Sequence, residues 1–285
     1  MKKGKLIVQP MGGLANRMRV IGVLYELAKR AGASLCVLWV NNAELGAKWI
    51  DLFDYPNDFY IEELTPKDGR YMHGYLSKNW YNNINSYLWA YIHGYRWYPS
   101  NMVESMNCDT SEEGLEHLYS TWISQLQKGN TLFISTGDYL GNNYDISAIF
   151  RPKHELQEKI DAFSLPDQNI YGIHIRRSDN TWAIDNSPIA LFETEIEQIL
   201  SSESDARFYL ASDDKEIILH LRNKYGEHII VRDKTFGRGS VEGMQDALID
   251  MWILSGTKKI FGSYYSSFSE MASAIGSINL MIVKK

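Results

Sequence analysis

The run His174-Ile175-Arg176-Arg177-Ser178-Asp179 crowds a histidine, two arginines and an acid into a few positions. It closes the segment 170–175 (IYGIHI), whose branched and small residues carry no helical period and read as a buried strand. Arginine is costly to bury unless paired. Two arginines at the end of such a strand point to something anionic beyond it. The other predicted strands of this half end in related chemistry. Ser212, Asp213 and Asp214 follow 206–211, and Arg232 and Asp233 follow 228–231. Ser263 follows 258–262, and Ser266, Ser267 and Phe268 then open a helix. In open parallel sheets, ligands bind beyond the carboxyl ends of the strands. Two arginines with a serine-capped helix N-terminus suit a phosphate or diphosphate. Serines also cap helices for their own sake, so the reading rests on the arginine pair.

These residues need a frame to hold them. Strands at 170–175, 206–211, 228–231 and 258–262 alternate with helices starting near Pro188 and spanning 214–225, 241–255 and 267–276. A last strand, 278–283, closes the chain. Four β-α repeats plus a strand predict a doubly wound parallel sheet. The first half opens the same way: strand 5–9, the loop PMGGLANR, helix 16–31 and the buried strand 34–40. Gly12 and Gly13 would let a ligand approach the backbone closely, or would serve a tight turn only. The loop is neither G-x-G-x-x-G nor a P-loop. A helix is expected at 114–128 and a strand at 131–136. Pro152 and its polar neighbours place a domain boundary there, giving domains 1–150 and 151–285.

Composition narrows the function classes. A chain of 285 residues with 45% hydrophobic content holds about two domains. The net charge of −6 argues against non-specific nucleic-acid binding. Cys36 and Cys108 lack metal-type spacing, and Cys36 reads as a buried thiol, so a reducing compartment is expected. No apolar run approaches about 18 residues. The expectation is a soluble, cytoplasmic protein with no membrane span, for which peripheral membrane contact stays open. The histidines are scattered. Asp213-Asp214 would grip Mg²⁺ or cap a helix. No G-x-S-x-G elbow is present. The segment 71–99 is rich in Tyr and Trp, suited to stacking an acceptor sugar or to plain packing.

Taken in order, HIRRSDN, LASDD and ALIDMWILS…FGSYYSSFSEMA resemble the three motifs of the fucosyltransferase superfamily. That superfamily spans the α-1,2-, nodulation-type α-1,6- and protein O-fucosyltransferases. GGLANRM is similar to their opening glycine–asparagine loop. The resemblance covers roughly 170–275, is thinner over 10–30 and is silent over 45–165. It implies an α/β fold of GT-B type, two Rossmann-like domains facing across a cleft. The N-terminal domain would take the acceptor side and the C-terminal one the nucleotide sugar. It implies GDP-fucose as donor, a glycan acceptor, inversion at the anomeric carbon and no cofactor or required metal.

The same resemblance assigns roles. Arg176 would grip the β-phosphate, with Arg177 and Asp179 in support. His174 and Asp250 would lie near the guanine, Asp250 accepting from its ring donors. Ser212, Asp213, Ser266, Ser267 and Phe268 would line the donor, and Gly12, Gly13 and Asn16 would face it from the other domain. The α-1,6 enzymes carry a glutamate ten residues after the motif histidine. Here that position is Ile184, and Asp185 beside it takes the equivalent place, leaving the general base as Asp179, Asp185 or none. Asp250 lies in an otherwise apolar helix with Asp246 four residues earlier, so a solvated acidic stripe is the competing reading. The chain looks like a compact bacterial form. Two alternatives remain: a GT-B transferase with another nucleotide sugar, and a non-catalytic nucleotide- or glycan-binding relative.

Overall fold

A computed structural model describes residues 3–67, 84–107, 109–142, 144–163, 169–178 and 180–285. Cys108, Asp179 and residues 71–83 of the aromatic segment therefore lie outside the described residues. The chain divides into two compact units. One holds Met1–Arg151 with Arg238–Val241; the other holds Pro152–Gly237 and Glu242–Lys285.

The first unit runs β1 (Lys5–Pro10), α1 (Leu14–Ala31), β2 (Ser34–Val40), α2 (Trp49–Leu52), β3 (Tyr60–Leu64) and α3 (Ile84–Ile92). It continues with β4 (Tyr95–Tyr98), α4 (Ser100–Met106), α5 (Glu112–Gln127), β5 (Thr131–Thr136) and α6 (Ile146–Ile149). Its sheet has the order β3-β2-β1-β5-β4 and is parallel at every pairing. Strands covered on both faces read as continuous apolar runs. That is why SLCVLWV is buried from its second residue onward. The described part of the aromatic segment forms α3 and the edge strand β4. Trp97 is buried there, and the Trp89 ring meets Phe133 of β5 edge-on.

The second unit runs α7 (His154–Ala162), β6 (Ile170–Ile175), α8 (Thr181–Asn186), α9 (Ile189–Ser202), β7 (Arg207–Ser212) and α10 (Lys215–Tyr225). It ends with β8 (Ile229–Ile230), α11 (Val241–Ser255), β9 (Ile260–Ser263), α12 (Ser267–Gly276) and β10 (Leu280–Val283). The order β10-β9-β6-β7-β8, parallel throughout, is the Rossmann arrangement. The chain winds outward in both directions from β6, so the switch point lies between β6 and β9. Phe192 and Ile196 of α9 bury completely against Ile173, Ile175, Phe208 and Leu210 of the sheet. Each such side chain contributes roughly 1.5–3 kcal/mol. The helix α8, not expected from the sequence, occupies the turn between β6 and α9.

At the switch point the sheet and α12 come very close. A Cβ on Gly262 would stand 2.5 Å from Ser269 Oγ, so only glycine fits. Among the described residues, no helix is long and apolar enough to cross a membrane.

Candidate functional site

β6 is buried along its whole length, and it delivers His174 and the two arginines to the sheet's carboxyl rim. Arg176 emerges beside β9, where its backbone N–H donates to Ser263 Oγ at 3.0 Å. Its guanidinium Nη1 lies 2.7 Å from Asp213 Oδ2. Asp213, just past β7, also accepts from the backbone N–H of Arg177 at 2.8 Å and from the Ser178 hydroxyl at 2.7 Å. Burial alone would push the Asp213 carboxyl up. The Arg176 charge and the Ser178 and backbone donors outweigh it and hold the group below the ordinary aspartate value.

Arg177 does a different job from Arg176. Its guanidinium donates to the carbonyls of Arg176 and Ser187, the first at 3.0 Å. Ser187 is buried and its hydroxyl donates to the carbonyl of Val283. Arg177 therefore staples the end of α8 to the end of β6. Burial lowers its pKa. Arg176 faces the rim; Arg177 holds up the loop behind it.

His174 is buried and its ring stacks on Phe268 of α12, with centroids 4.6 Å apart and planes at 22°. Among the described residues its Nδ1 is buried without a hydrogen-bond partner. Burial, with the positive charges of Arg176 and Lys234, pushes the imidazole far below its ordinary pKa despite the pull of Asp213. The ring is neutral at pH 7. Ser266 caps α12 without a side-chain hydrogen bond to the helix and is buried; Ser267 begins the first turn. Ser212 is buried, and its hydroxyl accepts from the Asp214 N–H at 3.2 Å.

The two neighbouring acids divide as their positions dictate. Asp214 caps α10, accepting from the Glu216 N–H at 2.8 Å. Asp213 serves Arg176. Among the described residues, no group of three or more His, Cys, Asp or Glu is arranged to hold a metal.

Asp250 is no solvated stripe, since it is only 3% exposed. Its Oδ1 accepts from Tyr209 Oη at 2.7 Å and Arg232 Nη2 at 3.2 Å, and its Oδ2 from Lys234 Nζ at 2.5 Å. Asp246, one turn earlier, accepts from Arg232 Nη1 at 2.6 Å and from the Thr235 N–H at 2.6 Å. The two acids of α11 thus pin the segment 232–235. Burial would lower the Arg232 pKa, but Asp250 and Asp246 together raise it. Tyr209, Arg232 and Lys234 carry no motif, and sequence reasoning passed over Tyr209 and Lys234. Asp185 is exposed on α8.

Gly12, Gly13 and Asn16 stand together in the first unit, at the carboxyl end of β1. Gly12 has φ +81°, the left-handed region that favours glycine. Buried Arg17 locks the loop: Nε donates to Gly12 O at 2.7 Å, Nη1 to Val40 O and Nη2 to Asn42 Oδ1. Asn16 accepts from Arg19 Nη2 at 3.1 Å.

No protein-family model matches this sequence, and no curated protein matches it. The fold does have solved counterparts, and they are fucosyltransferases: the chain has their α/β architecture of GT-B type, with two Rossmann-like units. One is the α-1,6-fucosyltransferase NodZ soaked with GDP-fucose, 16% identical over 96% of this chain and 93% of that one, TM-score 0.58. A second is Arabidopsis thaliana FUT1 in complex with GDP, 14% identical over 99% of this chain and 70% of that one, TM-score 0.56. A third is POFUT1 in complex with GDP, 13% identical over 99% of both chains, TM-score 0.56.

Proposed function

We propose that this chain is an inverting fucosyltransferase that moves L-fucose from GDP-fucose to a glycan acceptor. The observation that carries the reading is Arg176 at the carboxyl end of β6, its backbone N–H held by Ser263 of β9 and its guanidinium by Asp213 just past β7. It occupies the place where open parallel sheets take their ligands, in a fold whose solved counterparts include complexes with GDP and GDP-fucose.

In the proposed reaction the acceptor hydroxyl oxygen attacks C1 of fucose. The bond from C1 to the β-phosphate oxygen breaks, and its electron pair leaves with GDP. Negative charge therefore grows on the diphosphate as the sugar becomes oxocarbenium-like. A guanidinium already oriented by Asp213 stabilises that charge without reorganising, worth about 10²–10³ in rate by analogy with oxyanion donors. The N-terminal N–H groups of α12 add a positive field on the same side. Together they supply charge stabilisation of the kind a divalent cation gives elsewhere, and we assign the reaction no metal. His174 and Phe268 border the nucleoside, Asp250 stands on the base side, and Ser212, Ser266 and Ser267 line the phosphates. Gly12, Gly13 and Asn16 serve the donor from the first unit. Asp179, Asp185 or neither takes the acceptor proton. The domain roles follow, with residues 1–150 on the acceptor side and 151–285 on the donor side, in a cytoplasmic enzyme.

The test is turnover of GDP-fucose against a panel of glycan acceptors, with UDP- and ADP-sugars as competing donors. Fucosylated product with inverted anomeric configuration is the expected result. Turnover of a different nucleotide sugar would move the chain to another donor class. Tight GDP binding with neither hydrolysis nor transfer would make it a non-catalytic relative.

A further inference from the structure

We infer that Trp182 and Tyr265 form a stacking platform for a sugar ring of the acceptor, set on the two loops that follow β6 and β9. This platform deepens the proposed fucosyl transfer and rests on it: the acceptor there is a glycan, and these two residues say what holds one of its rings. Where residues 1–150 take the acceptor side, the platform is the second unit's own share of that work.

β6 and β9 are neighbours in the sheet, and the loop after each carries a large exposed aromatic. Trp182, on α8, is 65% exposed, and Tyr265, between β9 and α12, is 72% exposed. Tryptophan is on average a highly buried residue. A single aromatic on a surface needs no explanation, but here two stand on loops that are bonded to each other. Asn180 Nδ2 donates to the carbonyl of Tyr265 at 2.8 Å, while its Oδ1 caps α8 by accepting from the Ala183 N–H at 3.0 Å. At the other end of α8 the Tyr264 N–H donates to Ser187 Oγ at 2.8 Å, and that buried hydroxyl donates onward to the carbonyl of Val283. The turn of Tyr264 and Tyr265 is thus tied to both ends of α8. Its backbone is fixed while the Trp182 and Tyr265 rings stay in water.

Tyr265 stands at φ 54°, in the left-handed region where a bulky side chain is an outlier. Glycine would take that conformation without cost. Such strain persists where the surroundings over-determine it, and it clusters at ligand sites. Here the hydrogen bonds to Asn180 and Ser187 hold the turn, and the ring they project is left mostly in solvent, so folding gains little from it.

The chemistry selects a neutral sugar ring. Trp and Tyr offer flat apolar faces with a polar tip, and one face of a pyranose is a row of C–H groups edged by hydroxyls. Asp185, exposed on the same helix, is a carboxylate able to accept from such hydroxyls. Residues 180–187 include no lysine or arginine, so this surface offers nothing to a second phosphate. Ser266 and Ser267, which line the donor phosphates in the proposed reaction, follow Tyr265 directly, and Arg176 lies four residues before Asn180. The acceptor must bring a hydroxyl to the carbon bonded to that diphosphate, and a ring stacked on this platform is beside it.

The test is retention of the intact chain, with GDP present, on an array of immobilised oligosaccharides, beside Trp182→Ala and Tyr265→Gly. Wild type should be retained on a subset of the glycans. Each variant should lose about tenfold or more in affinity for that subset, while calorimetric GDP binding keeps its wild-type value. Tyr265→Gly separates the platform from a structural role. Relief of the left-handed strain offsets the added freedom of the unfolded chain, so its Tm should stay near that of wild type while glycan retention falls. Trp182→Tyr, which restores a flat ring, should recover most of the retention. Wild-type retention by either Trp182→Ala or Tyr265→Gly would overturn the inference. So would retention on no glycan by a wild-type chain that binds GDP, a result that leaves the proposed donor standing. Pelleting of wild type with phosphatidylglycerol vesicles, lost in Trp182→Ala and unaccompanied by glycan retention, would give the surface to lipid and overturn it as well. Glycan retention that depends on Trp182 in a chain that binds no GDP would support the platform and remove the proposed donor instead.

Discussion

Asp213 and Arg176 face each other across 2.7 Å at the carboxyl rim, and that one carboxylate also receives the Arg177 N–H and the Ser178 hydroxyl. The acid after β7 thereby sets the shape of the loop after β6. It orients the guanidinium before any ligand arrives, so in the proposed reaction the developing charge would be met with little reorganisation.

Arg176→Lys should abolish most turnover while leaving the fold intact. Lysine keeps the charge but cannot make the forked contact to two phosphate oxygens. A loss of about 10²–10³ in kcat is expected, with Tm within a few degrees of wild type. Turnover near the wild-type value would remove Arg176 from the reaction.

Asp213→Asn should lower both activity and stability, with a pH signature. The folded pKa of Asp213 is depressed, so its stabilisation is present above the unfolded value of about 4 and is lost as pH falls through the folded value. Denaturation of wild type and variant should therefore differ at pH 7 and converge in strong acid. A constant difference down to pH 2 would show that the charge is not what matters.

His174 stays neutral because burial disfavours the imidazolium. Donor affinity should accordingly show no step attributable to a histidine between pH 8 and pH 5.5. A titration with a midpoint near the ordinary histidine value of about 6.5 would contradict the buried, stacked position of the ring.

Activity should persist in excess EDTA. Asp213 is committed to Arg176 and its neighbouring donors, and Asp214 to the start of α10. Loss of activity restored by Mg²⁺ or Mn²⁺ would require these acids to leave those partners for a metal.

Asp246→Ala should destabilise the protein by about 1–3 kcal/mol, because Arg232 and the Thr235 N–H each lose an acceptor. Urea denaturation measures this directly. A solvated surface acid would give a change near zero.

Much of the second unit was legible because its signals are local. Apolar runs bounded by polar turns mark strands such as IYGIHI, and Pro188 stands just ahead of α9 where a helix start was read. The arginine pair announced the rim for the same reason, since charge next to a buried strand is visible in one dimension. The division of labour between the arginines was not visible. It depends on where Ser187 falls once α8 has formed, and α8 is only six residues long. The status of Asp250 was equally hidden. Its spacing from Asp246 suits a solvated stripe as well as a buried cluster, and what decides is the loop of Arg232 and Lys234. That loop has no period, and it meets α11 only in three dimensions. Arg17 teaches the same lesson in the first unit. As a letter after Asn16 it looks like part of a helix, yet its guanidinium is what locks Gly12 to Val40 and Asn42.

The most direct measurement is calorimetric binding of GDP-fucose to the intact chain, beside UDP-galactose and beside the Arg176→Ala variant. Saturable one-to-one binding of GDP-fucose should appear with wild type, with none for UDP-galactose and a loss of about tenfold or more in the variant. Absence of GDP-fucose binding to a folded wild-type chain, or equal binding of both donors unaffected by Arg176→Ala, would contradict the assignment of this rim as a GDP-fucose site.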